Sequence, residues 1–460
     1  MNTQAAAASA DDHSLSRTLR PRHISMITIG GIIGAGLFVG SSVAIAAAGP
    51  ACIISYALTG AVVFLIMRML GEMAVANPEV RSFTEFARVG LGHWAGFSVG
   101  WLYWFFWVVV IPVEAIAGAT ILQRWLPLEN WQIGLLLMAA MTMVNLMSAR
   151  AYGEFEFWFS SIKVSAIIVF ILMAASYAFG LMGSQGPTFA TLTAHGGFAP
   201  QGGLAVLATV TTVIFSMMGA EIVAVAAAES AEPARAVARM SSTIIVRILV
   251  FYIASILMIV SIVPWTAVKP GQSPFTLALE TMHIGWAPTI MSAIILTAVL
   301  SCLNSAFYVA SRVLFVLAEK GDAPRWLVKT NARHVPARAV LLGSVFGFAG
   351  VMTAILSPSG VYAFLQNASG AVIVFVYIGI AAAQIRLRIK NQRAGLPPPQ
   401  LPIWLFPWLS YFAIVAMTAV LVAMAFTPDL ASQLWASVLS VVVALAAYAL
   451  LRHGKYGTPR

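Results

Sequence analysis

The chain has 460 residues, of which 60% are hydrophobic and only 9% are charged. Soluble domains carry roughly 25% charged residues, and one soluble core cannot bury this much apolar side chain, so a soluble globular protein is excluded. Two cysteines, Cys52 and Cys302, exclude a disulfide framework, and dispersed glycine and proline exclude a collagen-like or low-complexity chain.

At about 20 residues per crossing, the apolar material suffices for roughly twelve membrane spans. The apolar stretches lie near 24–46, 51–67, 95–122, 131–147, 155–181, 204–228, 241–263, 286–317, 339–356, 362–385, 403–426 and 434–451. They predict an all-α integral membrane protein with about twelve transmembrane helices. With the N-terminus inside, the basic residues of links and tails, from Arg17, Arg20 and Arg22 to Arg452, Lys455 and Arg460, fall on the cytoplasmic side. Only Arg124 and Lys269 lie outside. That asymmetry sets the orientation, puts both termini in the cytoplasm and explains the net charge of +10 without nucleic acid. The first apolar stretch is longer than the 7–15 residues of a signal-peptide core, so it reads as a retained span.

The links are too short for a catalytic domain. Neither Gly321 nor Gly454 sits in a G-x-x-x-x-G-K-[ST] loop, so no direct ATP-driven pumping and no ATPase partner are expected. His13, His23, His93, His195, His283, His334 and His453 all fall in links or tails, which argues against an intramembrane histidine relay, and no metal-ligand cluster appears.

The first span reads Gly30-Gly-Ile-Ile-Gly-Ala-Gly-Leu-Phe-Val-Gly40, five glycines in eleven residues. Each weakens a helix by roughly 1 kcal/mol relative to alanine. Gly30/Gly34 and Gly36/Gly40 also form G-x-x-x-G pairs suited to close helix packing. The reading favoured here is a break whose freed amides hold an anionic group such as a carboxylate. In the third span, Glu114 follows Pro112 and is either functional or part of a static salt bridge. The aromatic run Trp101, Tyr103, Trp104, Phe105, Phe106 and Trp107 suits a packing stripe or interface belt better than a cation cage.

Lys163 lies one-third along the fifth span among Phe155, Phe157, Trp158 and Phe159, too deep to reach an interface easily. A lysine in such a place can load and release a proton. Glu72, Glu154 and Glu156 lie near inner ends and read as gate or link contacts, while Arg247 and Arg312 suit snorkelling or structural pairing. The sixth span carries Phe215-Ser-Met-Met-Gly-Ala-Glu221, a second interruption. Breaks in the first and sixth spans point to a five-plus-five inverted repeat with the substrate site at its interface. The expected layout is a tail at 1–23, repeats at 24–181 and 204–385 within a core at 24–385, a linker at 386–402, helices 11 and 12 at 403–451, and a tail at 452–460. In the eighth span, Ser301-Cys-Leu-Asn-Ser305 either faces the pathway or glues helices together.

Residues 30–42, 69–76, 219–230 and 301–312 resemble the amino acid transporter family of the amino acid–polyamine–organocation superfamily, and the similarity covers nearly the whole chain. Trp101-Leu-Tyr-Trp-Phe-Phe-Trp-Val-Val-Val-Ile-Pro-Val-Glu114, Tyr152-Gly-Glu-Phe-Glu-Phe-Trp158 and Ala220-Glu-Ile-Val-Ala-Val-Ala-Ala-Ala-Glu-Ser230 are similar to bacterial γ-aminobutyrate (GABA) permeases. The resemblance implies proton symport of amino acids across the bacterial inner membrane by alternating access, with no cofactor beyond the coupling proton. It implies that Ile32, Gly34, Ala35 and Gly36 offer backbone to the substrate carboxylate. Phe215, Ser216, Met218 and Gly219 would supply carbonyls and packing, Glu221 would face the amino group or a water, and Glu114 and Cys302 complete the site. Lys163 matches a fifth-span lysine that, in proton-coupled relatives, touches the broken first helix near the sodium position of sodium-coupled cousins. The cytoplasmic link departs from the family pattern P-x-x-G-S-F-x-x-Y-A at Arg81 and Phe86. A proline or other neutral α-amino acid symporter, an exchanger and an amino-acid-gated channel are the competing expectations.

Overall fold

The computed structural model describes residues 33–77, 80, 83–147, 149–182, 188–219, 221, 248–399 and 401–456. Among them the secondary structure is helical, and eight helices are long and apolar enough to cross a membrane. One of these, Ala35–Ala76, comprises the first and second spans, and the shorter apolar helices Gly202–Met217 and Val250–Ile262 belong to the sixth and seventh. With the fourth span, Asn130–Asn145, each predicted crossing has a helix among its described residues.

Local chemistry sets several of the boundaries. The fourth span opens on a reciprocal capping box between Glu129 and Gln132, which satisfies two amides that a helix start leaves unbonded. The tenth, Pro358–Arg393, opens on Ser357, whose hydroxyl accepts from the Gly360 amide ahead of a proline at the first helical position. Gly49 (φ +63°) ends the first span and Gly92 (φ +104°) precedes the third, both in backbone that favours glycine. Pro112 sits inside the third span, His93–Leu122. Gly350 of the ninth span makes room for its ring, since a Cβ there would lie 2.6 Å from Pro112 Cγ. Two link helices, Phe83–Leu91 and Pro274–Thr281, were not among the expected elements.

The third span is the central post. It packs most extensively against the eighth, Ala287–Glu319, and the tenth. The first and sixth spans lie against this scaffold, and both are interrupted. Gly34 is extended (φ −137°, ψ −150°) before the helical turn Ala35–Phe38, and the chain turns again at Val39–Gly40 before Ser41–Ala48. In the sixth span the helix Val210–Met217 ends at Met218 (φ −65°, ψ 156°), and Gly219 follows at φ +103°. The expected breaks are therefore present at the expected glycines. Ile32, Arg81 and Arg247 lie outside the described residues.

Candidate functional site

The two breaks meet. A Cβ on Gly36 would stand 2.6 Å from the Ser216 Cα, so the close approach of the first and sixth spans requires glycine there. Gly34 faces the eighth and third spans. A Cβ on it would lie 2.5 Å from Cys302 Cβ, 2.7 Å from Cys302 Sγ and 3.0 Å from Glu114 Oε1. Glu114 is buried, and both carboxylate oxygens accept from the Ala35 amide, at 3.2 and 3.1 Å. The Cys302 thiol is also hydrogen-bonded to this carboxylate. Tyr362 of the tenth span donates its hydroxyl to the Ala35 carbonyl at 3.3 Å. Gln366, one turn further along, donates to the Thr212 carbonyl at 3.3 Å and the Gly40 carbonyl at 3.5 Å, tying both interrupted spans to the tenth.

The sixth-span break has its own carboxylate. Glu221 Oε1 accepts from the Gly219 amide and the Tyr103 hydroxyl, both at 3.2 Å, and Oε2 accepts from the Tyr377 hydroxyl at 3.3 Å. Tyr377 also contacts Met218 Sδ at 3.1 Å. Phe215 packs on Phe106, and Tyr252 donates to the Ser216 carbonyl at 2.6 Å. Thus Gly34, Ala35, Gly36, Glu114, Phe215, Ser216 and Cys302 form one buried cluster, with Met218, Gly219 and Glu221 at its sixth-span edge.

Lys163 belongs to an adjoining cluster. Its side chain has no exposed surface, which removes the snorkelling alternative. Its ammonium donates to Ser301 Oγ at 2.8 Å, and Ser301 Oγ donates to Glu156 Oε2 at 2.6 Å. The direct Lys163–Glu156 separation is 3.5 Å. Glu156 also accepts from Ser160 at 3.0 Å and Ser305 at 3.4 Å. The reading of Glu156 as a gate or link contact is corrected here: it is a fully buried partner of Lys163. The signal was present in the sequence, because residues seven apart lie two turns along one helix face. Glu72, by contrast, is a link contact as expected. It accepts from Gln384 (2.9 Å), Arg388 (3.1 Å) and the Ile403 amide (2.7 Å). Arg312 is buried over the Tyr308 ring at 3.9 Å, in keeping with structural pairing.

The eighth-span polar patch divides between two sets of neighbours. Ser301, Cys302 and Ser305 face the two clusters, whereas Asn304 accepts from Asn145 at 2.8 Å and joins the eighth span to the fourth. Most of the aromatic run is packing. Trp101 stacks edge-on to Trp104 and donates to the Asp322 carbonyl at 3.1 Å. Tyr103 was read as part of that stripe and is instead a Glu221 partner, while Tyr362 and Tyr377 went unremarked among apolar neighbours.

Residues 23–454 match the model of the family described as amino acid permease. The chain belongs to the amino acid permease family. It is 44% identical to the γ-aminobutyric acid permease of Bacillus subtilis over 443 residues, covering 96% of this chain and 94% of that one. It is 46% identical to a probable GABA permease of Pseudomonas aeruginosa over 435 residues (93% and 91%). An aromatic amino acid transport protein of Corynebacterium glutamicum is 39% identical over 418 residues, 90% of each chain. Among solved structures, a mutant of the Eremococcus coleocola manganese transporter superposes with a TM-score of 0.59 at 13% identity, covering 94% of this chain and 92% of that one. That likeness concerns the fold alone. This permease is accordingly a multi-pass membrane transporter of amino acids and not an enzyme.

Proposed function

We propose that this permease imports γ-aminobutyrate, or a closely related amino acid, together with a proton across the bacterial inner membrane, with both termini in the cytoplasm. The names of the most similar relatives support the substrate class. The observation that carries the reading is the Glu114 carboxylate on the Ala35 amide, beside Gly34 and Gly36. Backbone that binds an internal carboxylate can bind a substrate carboxylate. The substrate carboxylate takes the Ala35 amide, and the displaced Glu114 accepts the substrate ammonium, so the two charges of the zwitterion are met at the two ends of one exchange. Glu221 is a weaker candidate for the ammonium, because Gly219, Tyr103 and Tyr377 already occupy it. Phe215 and Ser216 supply the sixth-span wall, Met218 and Gly219 its edge, and Ile32 remains a candidate backbone contact for the substrate carboxylate. Lys163, buried in the adjoining cluster, carries the coupling proton. Residues 24–181 and 204–385 act as the two repeats of an alternating-access core, joined by the linker 386–402 to two further helices at 403–451.

The test is uptake of labelled GABA into proteoliposomes holding the purified full chain, with an inward proton gradient, with sodium alone, or with neither. Unlabelled GABA, proline and phenylalanine serve as competitors. Saturable GABA uptake that needs only the proton gradient is expected. Uptake of proline or phenylalanine in place of GABA would move the substrate assignment, and uptake driven by sodium alone would overturn the role given to Lys163.

A further inference from the structure

We infer that Lys163, Ser301 and Glu156 form a proton relay in which the Ser301 hydroxyl is the shuttle and Glu156 receives the coupling proton on its way to the cytoplasm. This rests on the proton-coupled reading above and extends it to two residues that reading leaves unused. The geometry favours a relay over a static ion pair. The route through serine consists of two short hydrogen bonds, 2.8 Å from Lys163 Nζ to Ser301 Oγ and 2.6 Å from Ser301 Oγ to Glu156 Oε2. The direct approach of the two charges is longer, at 3.5 Å. Ser160 and Ser305 hold the Glu156 carboxylate from the same helix and from the eighth span, which fixes the acceptor in place.

The transfer balances in two bond exchanges. A Lys163 N–H bond breaks as its proton joins Ser301 Oγ, and the original Ser301 O–H bond breaks as its proton joins Glu156 Oε2. Ser301 ends as a hydroxyl, Lys163 as a neutral amine and Glu156 as a neutral acid. Burial makes separated charges costly, a cost that the neutral pair does not carry. The Glu156 backbone lies seven residues before Lys163, about 10 Å nearer the inner end of the fifth span at 1.5 Å per residue, while the two side chains reach toward each other and bring the charged atoms to 3.5 Å. From there the proton leaves to water when the inner path opens, and Lys163 takes another from outside. Glu114 of the third span and Cys302 of the eighth also interact electrostatically with this pair.

Two fluxes of labelled GABA, or of whichever panel amino acid the wild type carries, test the relay in the full-length protein. Counterflow at equal pH needs no net proton movement, whereas accumulation driven by an inward proton gradient does. The ratio of driven uptake to counterflow should fall by about a hundredfold or more in Ser301→Ala and in Glu156→Gln, the scale of a lost proton-transfer group. Ser301→Thr keeps a hydroxyl and should restore the ratio to within about threefold of wild type. The pH profile of driven uptake should flatten in Glu156→Gln. An unchanged ratio in Ser301→Ala, or equal losses in Ser301→Ala and Ser301→Thr, would overturn the relay. A wild-type protein that exchanges substrate but ignores the proton gradient would instead fail the coupling reading itself. If Glu156→Gln does not fold, the two serine variants decide.

Discussion

Each interrupted span ends against a carboxylate, yet the two are built differently. At the first span, Glu114 comes from a different helix, and its described hydrogen bonds are to one backbone amide and a thiol. At the sixth, Glu221 lies two residues beyond the break and is held by the Gly219 amide and two tyrosine hydroxyls from the third and tenth spans. A carboxylate held by three donors from three parts of the fold acts as a brace, because releasing it breaks three buried hydrogen bonds at once. A carboxylate held by one amide and a weak thiol donor is released at less cost, and an incoming anion gives the amide its acceptor back. On the function proposed above, the difference suits the sixth-span carboxylate to structure and the first-span one to ligand exchange.

The strongest way to break that contrast is to remove the brace. Glu221→Ala takes the carboxylate acceptor away from two buried hydroxyls and the Gly219 amide. At about 0.5–1.5 kcal/mol per hydrogen bond lost, and more for those to a charged acceptor, a loss of about 3 kcal/mol is expected. The apparent melting temperature in detergent and the yield of monodisperse protein measure it. A variant that folds as well as wild type but fails only in transport would return Glu221 to the substrate side.

How far this contrast could be read from the sequence depends on the kind of signal. The breaks were legible because glycine clusters and a glycine followed by a glutamate are local features, and the structure interrupts the helices at Gly34 and Met218–Gly219. Lys163 was legible because a lysine among aromatic residues far from either span end contradicts its surroundings. Glu156 was judged by depth along the span, where it lies near the inner end, when its phase relative to Lys163 carried the information. Tyr362, Tyr377 and Tyr103 could not be singled out, because tyrosine in an apolar span is ordinary and its hydroxyl acquires meaning only from a partner on another helix.

The exchangeable carboxylate calls for the opposite outcome. Glu114→Gln keeps the shape and a carbonyl oxygen for the Ala35 amide, so the melting temperature should stay within a few degrees of wild type. The substrate ammonium loses a charged partner, which is worth about 1.5–3 kcal/mol, so KM should rise by roughly ten- to a hundredfold. Uptake kinetics and thermal unfolding on the same preparation separate the two effects. A large drop in melting temperature with unchanged KM would make Glu114 a second brace and erase the distinction between the breaks.

The smallest expected effect sharpens the first-span side. Cys302 touches the same point from the eighth span: its thiol is hydrogen-bonded to Glu114, and its Cβ leaves no room for a side chain at Gly34. A thiol is a weak donor, so Cys302→Ala should change KM by only about two- to fivefold while leaving Gly34 undisturbed. Cys302→Val adds bulk beside Gly34, where nothing larger than hydrogen is accommodated, and should cost more transport than Cys302→Ala even though both lack the thiol. If the two variants lose equally, the hydrogen bond to Glu114 governs the site. If the valine variant is worse, as the close packing at Gly34 requires, the eighth span acts chiefly as a wall that fixes where the exchanged carboxylate can sit.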